Sequence, residues 1–101
     1  MGVVVVRYRP TSDMADINES LVRDVFEELH QKDPGTIKYA TLRLADGTFL
    51  HIADVDQEAN PLNNSEAFAR FQDGIADRCE PGEGPSPQPA SIVGSYGLFA
   101  D

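Results

Sequence analysis

The stretch from 36 to 55, TIKYATLRLADGTFLHIADV, constrains the fold of this chain most strongly. It contains two segments rich in β-branched and aromatic residues on either side of Asp46-Gly47, and Asp-Gly is a preferred pair for the two-residue type I′ turn of a β-hairpin. A two-residue turn would pair Leu42 with His51, and this pairing fixes which side chains share a face. The sequence therefore predicts two antiparallel strands in that register.

Both faces of the predicted hairpin are at least half apolar. One face would carry Ala40, Leu42, Leu44, Phe49, His51, Ala53 and Val55. The other would carry Ile37, Tyr39, Thr41, Arg43, Leu50, Ile52 and Asp54. A hairpin with one face in water should be more one-sided than this. We therefore expect both faces to be covered, the first of them by helices.

The segments on either side of the hairpin alternate between strand and helix patterns. Strands are predicted at 3–9, which is β-branched and aromatic, and at 90–99. Apolar residues recur at helical spacing in two further segments; these are Ile17, Leu21, Val25 and Leu29, and then Phe68, Phe71, Ile75 and Cys79. Asn64 or Ser65 could cap the second helix. The proline-rich stretch 80–89 is predicted to be an irregular connection.

The predicted order, β-α-β-β-α-β, is that of the ferredoxin-like fold within the α+β class. Right-handed crossovers put both helices on one face of a four-stranded antiparallel sheet. A length of 101 residues favours a single domain, 1–101. The other sheet face, with Tyr39, Thr41, Leu50 and Ile52, would be exposed, and large exposed apolar patches are rare. We expect a second copy to cover this face and form a homodimer.

Composition limits the remaining function classes. The net charge of −9 disfavours binding to nucleic acid or to anionic membranes, because both need a basic face. Cys79 is the only cysteine, and no Cys/His cluster has zinc-ligand spacing, so we expect no metal site. The stretches GEG and GSYG are not phosphate loops, because no helix is predicted after either, so we expect no cofactor. No apolar run is long enough for a signal peptide or a membrane span. We therefore expect a cytoplasmic protein.

Five stretches of the chain resemble a known family when they are taken together with this order of elements. They are VVVVRYR, VRDVFEEL, YATLRLADGTFLHI, AFARFQDGIADRC and VGSYG. Together they are similar to the antibiotic-biosynthesis-monooxygenase-like group of dimeric α+β barrel proteins. The resemblance implies a homodimer with a ligand pocket between the sheet and the helices of each subunit. It also implies enzymes of several kinds, among them monooxygenases that form quinones without a cofactor.

His51 is the principal candidate for chemistry, because an imidazole on an otherwise apolar strand can act as an acid, a base or a hydrogen-bond donor. The alternative is a structural histidine bonded to the protein's own groups. Any pocket beside it would be lined by Phe49, Phe68, Phe71 and Tyr96, and a strand tyrosine could orient an aromatic ligand through its hydroxyl.

Three functional hypotheses follow from these residues. The first is a cofactor-independent monooxygenase, or a related enzyme, acting on a small aromatic or polyketide-like molecule. The second is a non-catalytic dimer that binds a small ligand or serves as an accessory protein. The third is a protein of this fold with a filled core and no pocket. The space between helices and sheet distinguishes them.

Overall fold

A computed structural model describes residues 2–35, 37–56 and 58–97. Its elements are β1 (Gly2–Tyr8), α1 (Ala15–Lys32), β2 (Lys38–Arg43), β3 (Phe49–Val55), α2 (Glu66–Gln72) and β4 (Ser86–Ala90). The strands form a four-stranded sheet in the order β2-β3-β1-β4, with every neighbouring pair antiparallel. The ferredoxin-like α+β fold predicted from the sequence is therefore confirmed.

Helix α1 extends beyond the predicted apolar stripe at both ends, and the face that it buries differs from that stripe. It buries Ala15, Asn18, Val22 and Val25, whereas Ile17 is 51% exposed. The predicted stripe was wrong at Ile17 because the face toward the sheet follows positions 15, 18, 22 and 25. The helix ends at Asp33, which adopts a left-handed conformation (φ 44°) and donates its N–H to the carbonyl of Leu29.

Helix α2 is short and capped as predicted. The Ser65 hydroxyl accepts a hydrogen bond from the N–H of Phe68, which satisfies one of the free donors of the first turn. The helix ends at Gln72, and Gly74 follows with φ 71°. A 3-10 turn over Ala76–Arg78 then brings Cys79 into the core. The single helical stripe predicted as far as Cys79 is therefore divided by a turn.

The hairpin between β2 and β3 has a three-residue loop, so the predicted register was wrong by one position. Leu44 donates its N–H to the carbonyl of Thr48, and Gly47, with φ 90°, donates to the carbonyl of Leu44. This is the longer hairpin connection in which glycine takes the left-handed position. Thr41 therefore pairs with His51 in place of Leu42.

The one-residue shift reverses the two faces of β2, because side chains alternate along a strand. Tyr39, Thr41 and Arg43 lie on the helix side together with His51. Leu42 is exposed on the opposite face. The assignment of Tyr39 and Thr41 to the open face was therefore wrong, whereas Leu50 and Ile52 do lie there, beside Val3 and Val5 of β1.

The last strand lies earlier in the chain than predicted. Strand β4 has the sequence SPQPA and pairs with β1, with Pro87 opposite Val6 and Pro89 opposite Val4. The backbone nitrogens of alternate residues face the outer edge of the sheet, where proline's lack of an N–H breaks no ladder bond. The residues between the prolines can then supply the bonds to β1. The stretch 80–89 is thus partly a strand. Residues 91–97 form no strand, and 98–99 of the predicted strand lie outside the described residues.

Candidate active site

A small pocket lies between α2 and the strands, on the helix side of the sheet. Its volume is about 100 Å³. Most of its lining is apolar and comes from both central strands, the segment around α2 and the approach to β4; these residues include Val4, Val6, Ala53, Leu62, Phe68, Phe71, Ile75 and Pro85. The polar groups that border it are Tyr8, Tyr39, His51 and Gln72. The pocket thus combines an apolar body with a polar end.

His51 lies at this polar end and is only 5% exposed. Its Nε2 is 2.8 Å from the Tyr8 hydroxyl. Its Nδ1 is 2.5 Å from the Tyr39 hydroxyl and 3.1 Å from the Thr41 hydroxyl. The ring also packs against Phe71, with centroids 5.2 Å apart. Both ring nitrogens therefore have protein partners, and the pocket lies beside them.

Burial controls the charge state of these groups. It lowers the pKa of His51 from 6.5 to about 4, so the imidazole is neutral at neutral pH. Burial raises the pKa of Tyr39 to about 12, against a smaller lowering by the Thr41 hydrogen bond. It also raises the pKa of Tyr8, mainly opposed by the hydrogen bond from Asn18. The polar end of the pocket is therefore an array of neutral hydrogen-bonding groups.

A second layer of polar groups lies behind Tyr8. The amide nitrogen of Asn18 donates to the Tyr8 hydroxyl at 2.9 Å. The Asn18 carbonyl oxygen accepts from the guanidinium of Arg78, with Nη2 at 3.2 Å. Arg78 is 7% exposed and also donates to the backbone carbonyls of Phe71 and Asp73. No carboxylate of the described residues forms an ion pair with it, so this buried cation is held by neutral acceptors.

The structure brings together some of the predicted pocket residues and separates others. Phe68 and Phe71 line the pocket together with His51. Phe49 does not, because it stacks on Tyr8 at 5.6 Å and lines a different cleft. Tyr96 does not either, because it follows the end of β4 and is 97% exposed. The prediction that Phe49 and Tyr96 line the pocket at His51 was therefore wrong.

Sequence reasoning did not identify Asn18 and Arg78 as site residues. Each is a polar residue within a helical segment, where the usual expectation is exposure to water. The one available signal was that Asn18 falls four positions before Val22 and seven before Val25, on the buried face of α1. Nothing in the sequence shows that Arg78 lies against it from 60 positions away.

A larger cleft of about 390 Å³ lies between α1 and β2 and is also lined by Phe49 of β3. Its charged groups already pair with one another. Arg43 contacts Asp16 at 3.0 Å and Glu19 at 2.8 Å, and Arg23 contacts Glu19 at 2.8 Å. These mutual pairs lower the pKa of Glu19, chiefly through Arg43. The smaller pocket is therefore the better candidate site, because it has the buried polar network.

The described residues contain neither a metal-binding cluster nor a helix that could span a membrane. Within 2–35, 37–56 and 58–97, no three His, Cys, Asp or Glu side chains come together as a metal-binding group would require. No helix in these ranges is long and apolar enough to cross a membrane.

No family model and no curated protein sequence matches this chain. Solved structures do match it. A crystal structure of an antibiotic biosynthesis monooxygenase has a TM-score of 0.70 at 20% identity, over 93% of this chain and 100% of that one. A candidate antibiotic biosynthesis monooxygenase from Nitrosomonas europaea has a TM-score of 0.69 at 15% identity, over 92% and 99%.

A third match is an L-rhamnose mutarotase from Formosa agariphila, with a TM-score of 0.53 at 16% identity, over 95% of this chain and 99% of that one. At identities this low the likeness establishes the fold and leaves the reaction open, since one fold carries many functions. It confirms, for the fold, the resemblance drawn from the sequence. The chain has the fold of the antibiotic biosynthesis monooxygenase structures, over nearly its whole length.

Proposed function

We propose that the protein is a homodimeric enzyme that oxidises a small, single-ring hydroxylated aromatic with O₂, as a cofactor-independent monooxygenase. The observation that carries this proposal is the apolar pocket that ends on Tyr39, His51 and Tyr8. Apolar walls with a few convergent polar groups are typical of small-molecule sites. The names of two structural neighbours point to the same class of reaction.

The size of the pocket limits the ligand to a single ring at most. Its volume is about 100 Å³, which is smaller than an apolar cavity of about 150 Å³ that binds benzene in another protein, so even a single ring would need the lining to move slightly. A fused polyketide-like ring system would need the pocket to open. We therefore narrow the substrate class from polyketide-like molecules to monocyclic phenols.

The proposed reaction balances without an external electron donor. A phenol and O₂ give a quinone and water: one oxygen atom becomes the new ring carbonyl, and the other leaves as water with two hydrogens from the substrate. The electron-rich ring supplies all four electrons that reduce O₂. The protein then has to bind the ring, exclude bulk water and stabilise the negative charge on the substrate oxygen, whose proton passes to the reduced oxygen and leaves in the water.

The low pKa of His51 favours a role as a hydrogen-bonding group over a role as a base. A free phenol has a pKa of about 10, and His51 has a pKa of about 4. Direct proton transfer from phenol to imidazole would therefore be uphill by about 8 kcal/mol. We propose that His51 stays neutral and orients Tyr39, and that the Tyr39 hydroxyl contacts the substrate oxygen.

The lining of the pocket argues against a sugar as the ligand. The L-rhamnose mutarotase that shares the fold acts, by its name, on a polyhydroxylated sugar. Such a ligand would leave several hydroxyl groups against Val4, Val6, Leu62 and Ile75 without partners, and each unpaired buried hydroxyl disfavours binding. The apolar lining is better matched to an aromatic ring.

The open face of the sheet supports the homodimer. Val3, Val5, Leu50 and Ile52 lie side by side on the central strands, on the face opposite the helices. At the β4 edge, Pro87 and Pro89 oppose addition of a further strand. Pairing of two copies through the sheet faces is therefore favoured over pairing through this edge.

Oxygen-isotope labelling tests the proposed reaction. Monocyclic phenols with electron-donating substituents are incubated with the protein under ¹⁸O₂, and we expect one ¹⁸O in the quinone and one in water. His51→Ala should abolish turnover without unfolding the dimer, and His30→Ala, at an exposed histidine, is the matched control. Quinone formation with no ¹⁸O in the ring, or equal rates for the two variants, would contradict the proposal.

The second candidate function is non-catalytic binding of the same class of small molecule. It is favoured by one observation, that both nitrogens of His51 are bonded to the protein's own hydroxyl groups. In this case a ring would bind in the pocket with measurable affinity, and no product would form under O₂.

A further inference from the structure

The buried polar groups behind the pocket form a chain of hydrogen bonds whose direction can be determined. It runs from Arg78 through Asn18, Tyr8 and His51 to Tyr39. A guanidinium carries only donors and cannot accept a hydrogen bond. The atom of Asn18 that faces Arg78 must therefore be the carbonyl oxygen, and the amide N–H₂ must face Tyr8.

The orientation of Asn18 fixes the next bond. Because the amide donates to the Tyr8 oxygen, the Tyr8 hydroxyl hydrogen needs an acceptor of its own. Tyr8 is 1% exposed, and among the described residues its hydroxyl has only Asn18 and His51 as hydrogen-bond partners. Leaving that hydrogen without an acceptor would be unfavourable in a buried site. Tyr8 therefore donates to Nε2 of His51, which must carry no hydrogen.

The tautomer of His51 follows from this bond. A neutral imidazole has one N–H, and with Nε2 bare the hydrogen lies on Nδ1. Nδ1 then donates to the Tyr39 oxygen at 2.5 Å, with the Thr41 oxygen as a second acceptor at 3.1 Å. Tyr39 receives a hydrogen bond from the ring, and the Thr41 hydroxyl also bonds it and lowers its pKa, as a hydrogen bond donated to the phenol oxygen does. With Thr41 as the donor, Tyr39 keeps its own hydroxyl hydrogen for another acceptor. Tyr39 borders the pocket.

We propose that Tyr39 donates this hydrogen to the ligand oxygen, and that Asn18 and Arg78 are positioning residues that hold His51 in the Nδ1–H tautomer. The site is then selective for a single-ring aromatic that carries an oxygen acceptor, such as a carbonyl or a phenolate. Arg78 adds a buried positive charge at the far end of the chain. Because hydrogen bonds in a chain polarise one another, this charge strengthens the final donor. The ligand assignment rests on the proposed function, whereas the tautomer does not.

The tautomer can be measured in the unaltered protein. Long-range ¹H–¹⁵N spectra of the imidazole distinguish a protonated ring nitrogen from a bare one, and we expect Nδ1 to be protonated in His51 at mildly alkaline pH. Protonation on Nε2 would overturn the proposal without any variant. This result is independent of whether the protein turns over any substrate.

Asn18→Asp is the directed test, because aspartate has the same shape but can only accept. Its second oxygen would accept from Tyr8, so Tyr8 would in turn accept from Nε2–H, and Nδ1 would accept from Tyr39. The His51 tautomer should therefore switch to Nε2–H. Asn63→Asp, at an exposed position, makes the same change of charge and should leave the tautomer unaltered. A folded Asn18→Asp protein with an unchanged tautomer would overturn the proposal.

Ligand selectivity provides the second readout. Benzaldehyde has an oxygen acceptor and toluene has nearly the same shape without one. In the unaltered protein and in Asn63→Asp, benzaldehyde should bind more tightly than toluene. In Asn18→Asp the preference should fall by about tenfold, the effect of one hydrogen bond. An unchanged preference after a tautomer switch would overturn the role of Tyr39. If neither compound binds to the unaltered protein and its His51 tautomer is Nδ1–H, the proposed ligand contact of Tyr39 is wrong and the proposed direction of the hydrogen bonds is right.

Discussion

Acid should destabilise this protein through His51 before most carboxylates titrate. The pKa of His51 is 6.5 in an unfolded chain and about 4 in the folded one. The unfolded chain therefore binds a proton that the folded chain excludes, and the stabilisation, full above pH 6.5, is lost as the pH falls toward 4. The difference corresponds to about 3 kcal/mol in total, since one unit of pKa is about 1.4 kcal/mol.

Urea unfolding at one protein concentration measures this effect. Between pH 7 and pH 5 the free energy of unfolding should fall by about 2 kcal/mol more in the unaltered protein than in His51→Gln, which has no proton to exclude. His30→Gln replaces the exposed histidine and should keep the full pH dependence. Parallel curves for the unaltered protein and His51→Gln would show that burial does not hold His51 neutral, and the reasoning on the site would be refuted.

Further predictions concern the dimer, the helix cap and the hairpin loop. Leu50→Glu, on the open sheet face, should convert the dimer to a monomer in light scattering. Ile17→Glu, at an exposed position of α1, should leave the dimer intact, and a monomeric unaltered protein would contradict this prediction. Ser65→Ala removes the cap of α2 and should cost about 1 kcal/mol in urea unfolding; no change would argue against the cap. Gly47→Ala should cost about 1 kcal/mol because φ is 90° there, whereas Gly84→Ala, which has open space around it, should be nearly neutral.

The order of elements could be predicted from the sequence because periodicity is a strong local signal. The β-branched run of β1, the helical spacing in α1 and the Asp46-Gly47 loop each indicate one element. Together they were enough to predict the sheet with two helices on one face. The position of His51 on the helix side was also obtained, because its face depends on the alternation within β3 alone.

The register of β2 could not be obtained in the same way. Each face of that strand mixes apolar and polar residues, with Tyr39, Thr41 and Arg43 on one and Lys38, Ala40 and Leu42 on the other, so hydrophobicity does not choose between a two-residue and a three-residue loop. The choice is made by Gly47 in the left-handed position and by the contact of Leu44 with Thr48. The single shift moved Tyr39 from the open face to the pocket, and with it a central member of the site.

The last strand was predicted at 90–99 and not at Ser86–Ala90, because proline is generally depleted from strands. Its alternation at Pro87 and Pro89 is compatible with an edge strand, where one side of the backbone needs no N–H. The network behind His51 was missed for a different reason. It depends on contacts between Asn18 and Arg78, which are distant in sequence and which local patterns do not reveal.

Chemical-shift mapping with a monocyclic phenol tests the central claim most directly, namely that the pocket at His51 is the ligand site. As phenol is added, the signals of Ala53, Phe71, Ile75 and the His51 ring should shift together and saturate, because these groups line the pocket. Signals from the cleft beside Arg43 should stay unchanged. Saturable shifts confined to that cleft, or no saturable shifts at all, would contradict the account.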